Sequence, residues 1–239
     1  MSSDLDAAFR PLHPTERLRL LRESVAGALV FTTSLGLEDQ VLMHLIHGAG
    51  IDVSVVTLDT GRLFPETYDV WAETESRYGV RIRAYYPEPA GLEALVAAQG
   101  INGFYDGKAE REACCAARKT APLGRALAGA AGWITGLRAD QSAARTQLPF
   151  VAWDAARGVI KANPLLDWTR DRIASFAQAE DVPINALHQR GFLSIGCAPC
   201  TRAVGPGEGE RAGRWWWEQD QTKECGLHVG ADGRLVRAS

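Results

Sequence analysis

The chain has 239 residues, 46% of them hydrophobic and 23% charged, and a formal net charge of −3. That length suits one substantial core, and the composition excludes disordered and fibrous classes. A mildly acidic balance gives no general pull toward nucleic acid or anionic membranes. The longest apolar run near the start, residues 25–31, is broken by Gly27 and too short to span a bilayer. The opening MSSDLDAAFR carries acids and no apolar core, so a cytoplasmic setting is expected.

Residues 15–26 follow Pro14 with Leu18, Leu21 and Val25 at helical spacing. Residues 28–33 are a β-rich run that stops at Ser34-Leu35-Gly36-Leu37-Glu38-Asp39. Residues 40–47 then place Val41, Leu42, Leu45 and Ile46 on one helical face. A strand, a loop of small residues and a helix turn helix N-terminal amides toward an anion. The loop has neither a Walker lysine nor a GxGxxG, so an ordinary strand-to-helix turn is the competing reading.

Residues 53–58 repeat the strand and end in Asp59-Thr60-Gly61-Arg62; a helix over 65–78 and a strand over 81–86 follow. Three β-α units in series predict a parallel sheet with right-handed crossovers, and ligands of such sheets sit beyond the strands' carboxyl ends. Residues 34–39 and 59–62 both lie there and are candidate nucleotide contacts. A short helix over 91–98 and a loop over 101–107 lead to a helix over 110–118 that carries Cys114 and Cys115. It must end or bend before Pro122. Lys119 is placed to offset sulfur or substrate charge, or else to be a solvated lysine at a helix end.

Residues 132–136 form another strand, followed by Leu137-Arg138-Ala139-Asp140-Gln141-Ser142 and then Arg145. Residues 150–153 and 159–161 flank a turn and read as a hairpin or a pair of edge strands. A helix over 169–180 comes next, then His188 and the cysteine turn. From Thr201 the composition changes. Gly205, Gly207 and Gly209 predict a mobile loop, followed by Arg211, Arg214 and Trp215-Trp216-Trp217. The organisation expected is an α/β domain over 1–204 and a flexible Arg/Trp segment with a tail over 205–239.

Cysteine supplies the sharpest pattern. Cys197 and Cys200 form a CxxC, Cys114 and Cys115 are adjacent, and Cys225 stands alone between Lys223 and His228. A disulfide between neighbours is strained and does not suit a reducing compartment; buried thiols packed as small hydrophobes are the structural alternative. Two pairs supply four sulfur ligands, for zinc or for an iron–sulfur cluster. Adjacent helical side chains diverge by about 100°. That divergence suits thiolates on different irons better than two ligands of one tetrahedral zinc. Cys225, left over, is the candidate nucleophile, with an inert exposed thiol as its alternative.

TSLGLED, LDTGRLFPET, the CC pair, TGLRADQS, SIGCAPCT, ERAGRWWWE and ECGLH, spread over residues 33–228, together resemble the assimilatory adenylyl-sulfate reductases. That family is shared with the phosphoadenylyl-sulfate reductases, within the adenine-nucleotide α-hydrolase-like fold. The resemblance implies a [4Fe–4S] cluster on Cys114, Cys115, Cys197 and Cys200. It implies adenosine 5′-phosphosulfate as substrate, thioredoxin as electron donor, and Cys225 as the nucleophile, through an S-sulfocysteine intermediate. Ser34, Gly36, Glu38, Asp39, Asp59, Thr60 and Gly61 would bind substrate, with Lys119 between cluster and substrate and Arg138, Arg145, Arg211 and Arg214 facing the phosphosulfate. Phosphoadenylyl sulfate is the rival substrate. An ATP-using enzyme of the same fold and a cluster-bearing redox sensor are remoter readings. Oligomeric state stays open, a homo-oligomer included.

Overall fold

The computed structural model describes residues 2–142 and 145–218. Two helices open the chain, α1 (Ser2–Phe9) and α2 (Pro14–Ser24). The first escapes the sequence pattern because only Leu5 and Phe9 of its eight residues are buried. The second is started by a capping box. His13 accepts from Thr15 N–H, Glu16 accepts from the His13 N–H at 2.8 Å, and Pro14 sits in the first turn.

Then follow β1 (Leu29–Thr33), α3 (Leu37–Ala49), β2 (Ser54–Leu58), α4 (Pro65–Tyr78), β3 (Arg83–Tyr85), α5 (Pro89–Gln99) and α6 (Lys108–Cys115). A π-helical turn, Ala116–Thr120, joins α6 to α7 (Ala121–Ala126). The remainder is β4 (Gly132–Ile134), β5 (Val151–Asp154), β6 (Val159–Ala162) and α8 (Arg170–Ala179). The single helix expected up to Arg118 is thus α to Cys115 and wider beyond it. Widening is one way a helix absorbs a residue such as Pro122, which cannot donate to the preceding turn.

The six strands run in the order β3-β2-β1-β4-β6-β5. All neighbouring pairs are parallel except β5 with β6, the hairpin, which leaves one antiparallel edge on the expected parallel sheet. Four of the five β1 residues are buried, as expected of a central strand covered on both faces. One face packs a core of Leu18, Leu21, Phe31, Val41, Leu42, Ile134 and Ile173. On the other face Leu123, Leu127 and Trp133 form a smaller cluster with α7.

The order runs 3-2-1 one way and then resumes at β4, so the crevice between β1 and β4 is the topological switch point. Side chains beyond those strand ends face one another across it. Among the described residues no helix is long and apolar enough to cross a membrane.

Candidate active site

The switch-point crevice opens into a cleft floored by Thr33, Ser34 and Gly36 from β1 and its loop, by Asp39 from the first turn of α3, and by Thr135 and Gly136 just beyond β4. α3 begins at Leu37, three residues earlier than the apolar pattern predicts, and no side chain caps it. Its first-turn amides are therefore available to an anion. Leu35 holds a left-handed φ of 59° in this loop, with its N–H donating to Thr33 Oγ1 at 3.0 Å. Such backbone costs free energy and persists because Leu35 is buried. A Cβ on Gly136 would collide with the Asp39 carboxylate, which is why β4 leaves the crevice through a glycine.

Asp39 Oδ2 accepts from both the N–H and the Oγ of Ser34, each at 2.6 Å. Burial pushes its carboxyl up to about 6, against the pull of those hydrogen bonds. Glu38 lines the cleft beside it. Burial raises the Glu38 carboxyl, but the Arg138 guanidinium wins and holds it below the ordinary value.

Of the expected substrate contacts, Ser34, Gly36, Glu38, Asp39, Thr60, Lys119, Arg145, Arg211 and Arg214 all line this cleft. Arg138 does not. Its buried guanidinium donates to Glu38 at 2.8 and 2.9 Å and to Glu210 at 2.8 and 2.9 Å, and it pairs with Asp140. Three carboxylates surround it, so it ties the β1 loop, the β4 loop and residue 210 together from behind the wall. Asp59 and Gly61 do not line the cleft either. Asp59 accepts from Gly61 N–H at 2.8 Å and from Tyr68 Oη at 2.9 Å, shaping a turn that needs Gly61 at φ 70°.

A second, smaller cavity adjoins the first. Cys114, Cys115, Cys197 and Cys200 line it with Arg62, Phe104, Arg111, Arg118, Lys119 and Trp215. The four cysteines form no disulfide among the described residues. Among the described residues no three His, Cys, Asp or Glu side chains gather closely enough to bind one metal ion; the four thiols line one cavity. Cys115 comes from the last turn of α6, and the CxxC is a 3-10 turn, Ala198–Cys200. That turn is tied to the end of β2 by Ala198 N–H donating to Arg62 O at 2.8 Å. The π-helical turn is tied to the same place by Arg118 Nη1 donating to Thr60 O at 2.6 Å.

Lys119, Cys197 and Trp215 belong to both cavities and form the wall between them. Burial pushes the Cys197 thiol up. Lys119, the Thr60 hydroxyl at 3.3 Å, Arg214 and Arg118 together outweigh it and hold the thiol below its ordinary range. Burial and the neighbouring Cys197 push Cys200 up to about 12. Arg118 Nε is a buried donor in this chamber without a hydrogen-bond partner among the described residues. A donor so placed, beside four sulfurs, fits an anionic centre held between the thiolates.

Composition predicts mobility from residue 205, yet Trp215 is 1% exposed. The stretch returns as an antiparallel bridge of Arg214 with Thr201, and Trp215 N–H donates to Cys200 O at 3.1 Å. The Trp215 ring sits under the guanidinium groups of Arg111 at 4.7 Å and Arg214 at 4.8 Å. Arg111 also donates to Glu218 at 2.5 Å. Aromatic burial overrides the glycine content here. Cys225, with Lys223 and His228, lies outside the described residues.

The sequence reading missed Arg111, Arg118, Glu210 and Gln141. Arg111 had a signal, since it lies four residues before Cys115 on one helix face. The others are placed by tertiary contacts alone.

The phosphoadenosine phosphosulfate reductase domain matches residues 28–203. An adenosine 5′-phosphosulfate reductase from Agrobacterium fabrum is 52% identical over 95% of this chain and 87% of its own. One from Allochromatium vinosum is 51% identical over 84% and 78%. A solved phosphoadenylyl-sulfate reductase from Candida auris, in a phosphate complex, superposes with a TM-score of 0.72 at 26% identity, covering 84% of this chain and 95% of that one. The switch-point cleft, the four gathered thiols and these matches lead to one assignment: the chain belongs to the phosphoadenosine phosphosulfate reductase domain family.

Proposed function

We propose that the protein reduces adenosine 5′-phosphosulfate to sulfite and AMP, with thioredoxin as electron donor and Cys225 as nucleophile. The observation that carries this is the shared wall: Lys119 and Cys197 face both an anion-suited cleft and a chamber lined by four thiols. The unphosphorylated nucleotide is favoured over its 3′-phosphorylated form because the relatives above 50% identity bear that name, against 26% for the phosphoadenylyl-sulfate enzyme.

The chamber suits a [4Fe–4S] cluster on Cys114, Cys115, Cys197 and Cys200, since the four thiols line one cavity and are backed by Arg118 and Lys119. When bound, the cluster supplies fixed charge beside Lys119 without changing its own redox state. In the cleft, α3 amides, Lys119, Arg145, Arg211 and Arg214 receive the phosphosulfate. They lower the repulsion that an arriving thiolate meets. The Cys225 thiolate attacks the sulfur and breaks its bond to the bridging oxygen, which leaves on AMP. Cys225 becomes S-sulfocysteine. A thioredoxin thiolate attacks the Cys225 sulfur and expels sulfite. Its second thiol then resolves the mixed disulfide, so thioredoxin supplies both electrons. This assigns residues beyond 218 the role of a tail that meets nucleotide and partner in turn.

The test is Cys225→Ser in anaerobically purified protein. Sulfite formation should be abolished, with iron content and AMP affinity unchanged. Wild-type protein lacking iron and sulfide overturns the cluster assignment, and turnover surviving the substitution overturns the nucleophile.

A further inference from the structure

His188 lines the cleft on the 3-10 turn Ala186–Arg190, and the reaction as described gives it no part. The turn is firmly held. Asn185 accepts from Leu187 N–H at 3.0 Å and donates to Thr67 Oγ1 at 3.2 Å; Leu187 is fully buried. Gly191, at φ 82°, reverses the chain so that Phe192 N–H donates to Leu187 O at 3.1 Å. That reversal sets the Phe192 carbonyl 2.8 Å from His188 Nδ1.

A carbonyl oxygen only accepts, so Nδ1 carries the proton. Burial lowers the imidazole's pKa; the Phe192 hydrogen bond and Glu38 oppose this, Arg170 adds to it, and the neutral ring results. In that tautomer Nε2 is a bare lone pair. Nε2 is buried and has no hydrogen-bond partner among the described residues, an arrangement that costs free energy unless a donor arrives. Oxygens of the phosphosulfate bring no proton. A ribose hydroxyl or the exocyclic amine of adenine does.

We propose that His188 Nε2 accepts a hydrogen bond from one such donor of the bound nucleotide, which makes His188 a binding and specificity residue. The inference rests on the reductase reading above. Its test is calorimetric binding of AMP, 2′-deoxy-AMP, 3′-deoxy-AMP and the purine nucleotide lacking the 6-amine, to wild type and to His188→Asn. Asparagine keeps a donor near Nδ1 for the Phe192 carbonyl and has no atom where Nε2 stands.

Wild type should bind one of the three analogues about tenfold more weakly than AMP, the worth of one such bond. His188→Asn should bind AMP about tenfold more weakly and show no further loss with that analogue. His188→Gln, whose amide reaches toward the Nε2 position, should recover AMP affinity. An Asn variant that binds AMP like wild type, or one that loses the same factor on every analogue while wild type still discriminates among them, overturns the inference. So does a Gln variant as weak as Asn. Wild type that binds no AMP overturns the reductase reading along with it, which separates the two failures.

Discussion

The two cavities share a wall but are built by different means. The cleft is a product of sheet order: β1 and β4 diverge at the switch point, and loops at their ends must face one another. The cysteine chamber owes little to the sheet. Its walls come from a π-helical turn and a 3-10 turn, both pinned by hydrogen bonds to the loop after β2, and from the bridge at Arg214, which is held to Thr201 and Cys200. Charge is also handled differently. In the cleft wall Glu38 and Glu210 are satisfied by Arg138 from behind, whereas in the chamber Arg111 and Arg118 back the sulfur side. A fold-level feature supplies the cleft, and local turns add the cysteine chamber beside it.

If the two regions are separable, damage to the ionic knot behind the cleft should stay there. Arg138→Met removes a fully buried cation and leaves Glu38 and Glu210 facing each other, and such breakage of a buried ionic group costs about 3–5 kcal/mol. Urea denaturation should show that loss, AMP affinity should fall, and iron bound per folded chain should hold. Iron lost in parallel would mean that the chamber depends on the knot.

Lys119 probes the wall itself. Lys119→Ala should lower kcat/KM for adenosine 5′-phosphosulfate about 100-fold, the scale of one electrostatic contact to developing charge. AMP affinity should fall much less, because Arg145, Arg211 and Arg214 remain in the cleft. Equal losses in turnover and AMP binding would reduce Lys119 to an ordinary phosphate ligand.

The contrast also explains what the sequence disclosed. Residues 28–33 and 53–58 are near-continuous β-rich runs because central parallel strands are covered on both faces. Val41, Leu42, Leu45 and Ile46 share a helix face because it packs on the sheet. Strand ends therefore told which loops meet. They did not tell which side chains point inward: Thr60 reaches Cys197, whereas its neighbours Asp59 and Gly61 shape the turn behind it. Arg138 read as an anion contact because a cation after a strand looks available, and only the contacts with Glu38 and Glu210, both 72 or more residues away in sequence, together with Asp140 reveal that it is taken. The π-helical turn has no sequence period of its own; the contacts of Arg118 and Pro122 set its width.

The smallest effect expected is electrostatic and belongs to the cleft alone. Asp39, raised by burial to about 6, keeps its proton in the folded protein to higher pH than in the unfolded chain, where release falls near 4. The stability this contributes is fully present below about pH 4 and is lost as pH rises through 6. Asp39→Asn cannot titrate. Between pH 4 and 7.5 the difference in unfolding free energy should move in the variant's favour, by of order 2 kcal/mol, whatever its offset at pH 4. A flat difference would mean that the Ser34 N–H and hydroxyl, both at 2.6 Å, keep the carboxylate ionised throughout. The first turn of α3 would then carry its negative charge into the cleft even at pH 4, and the cations of the shared wall would face it over the whole range.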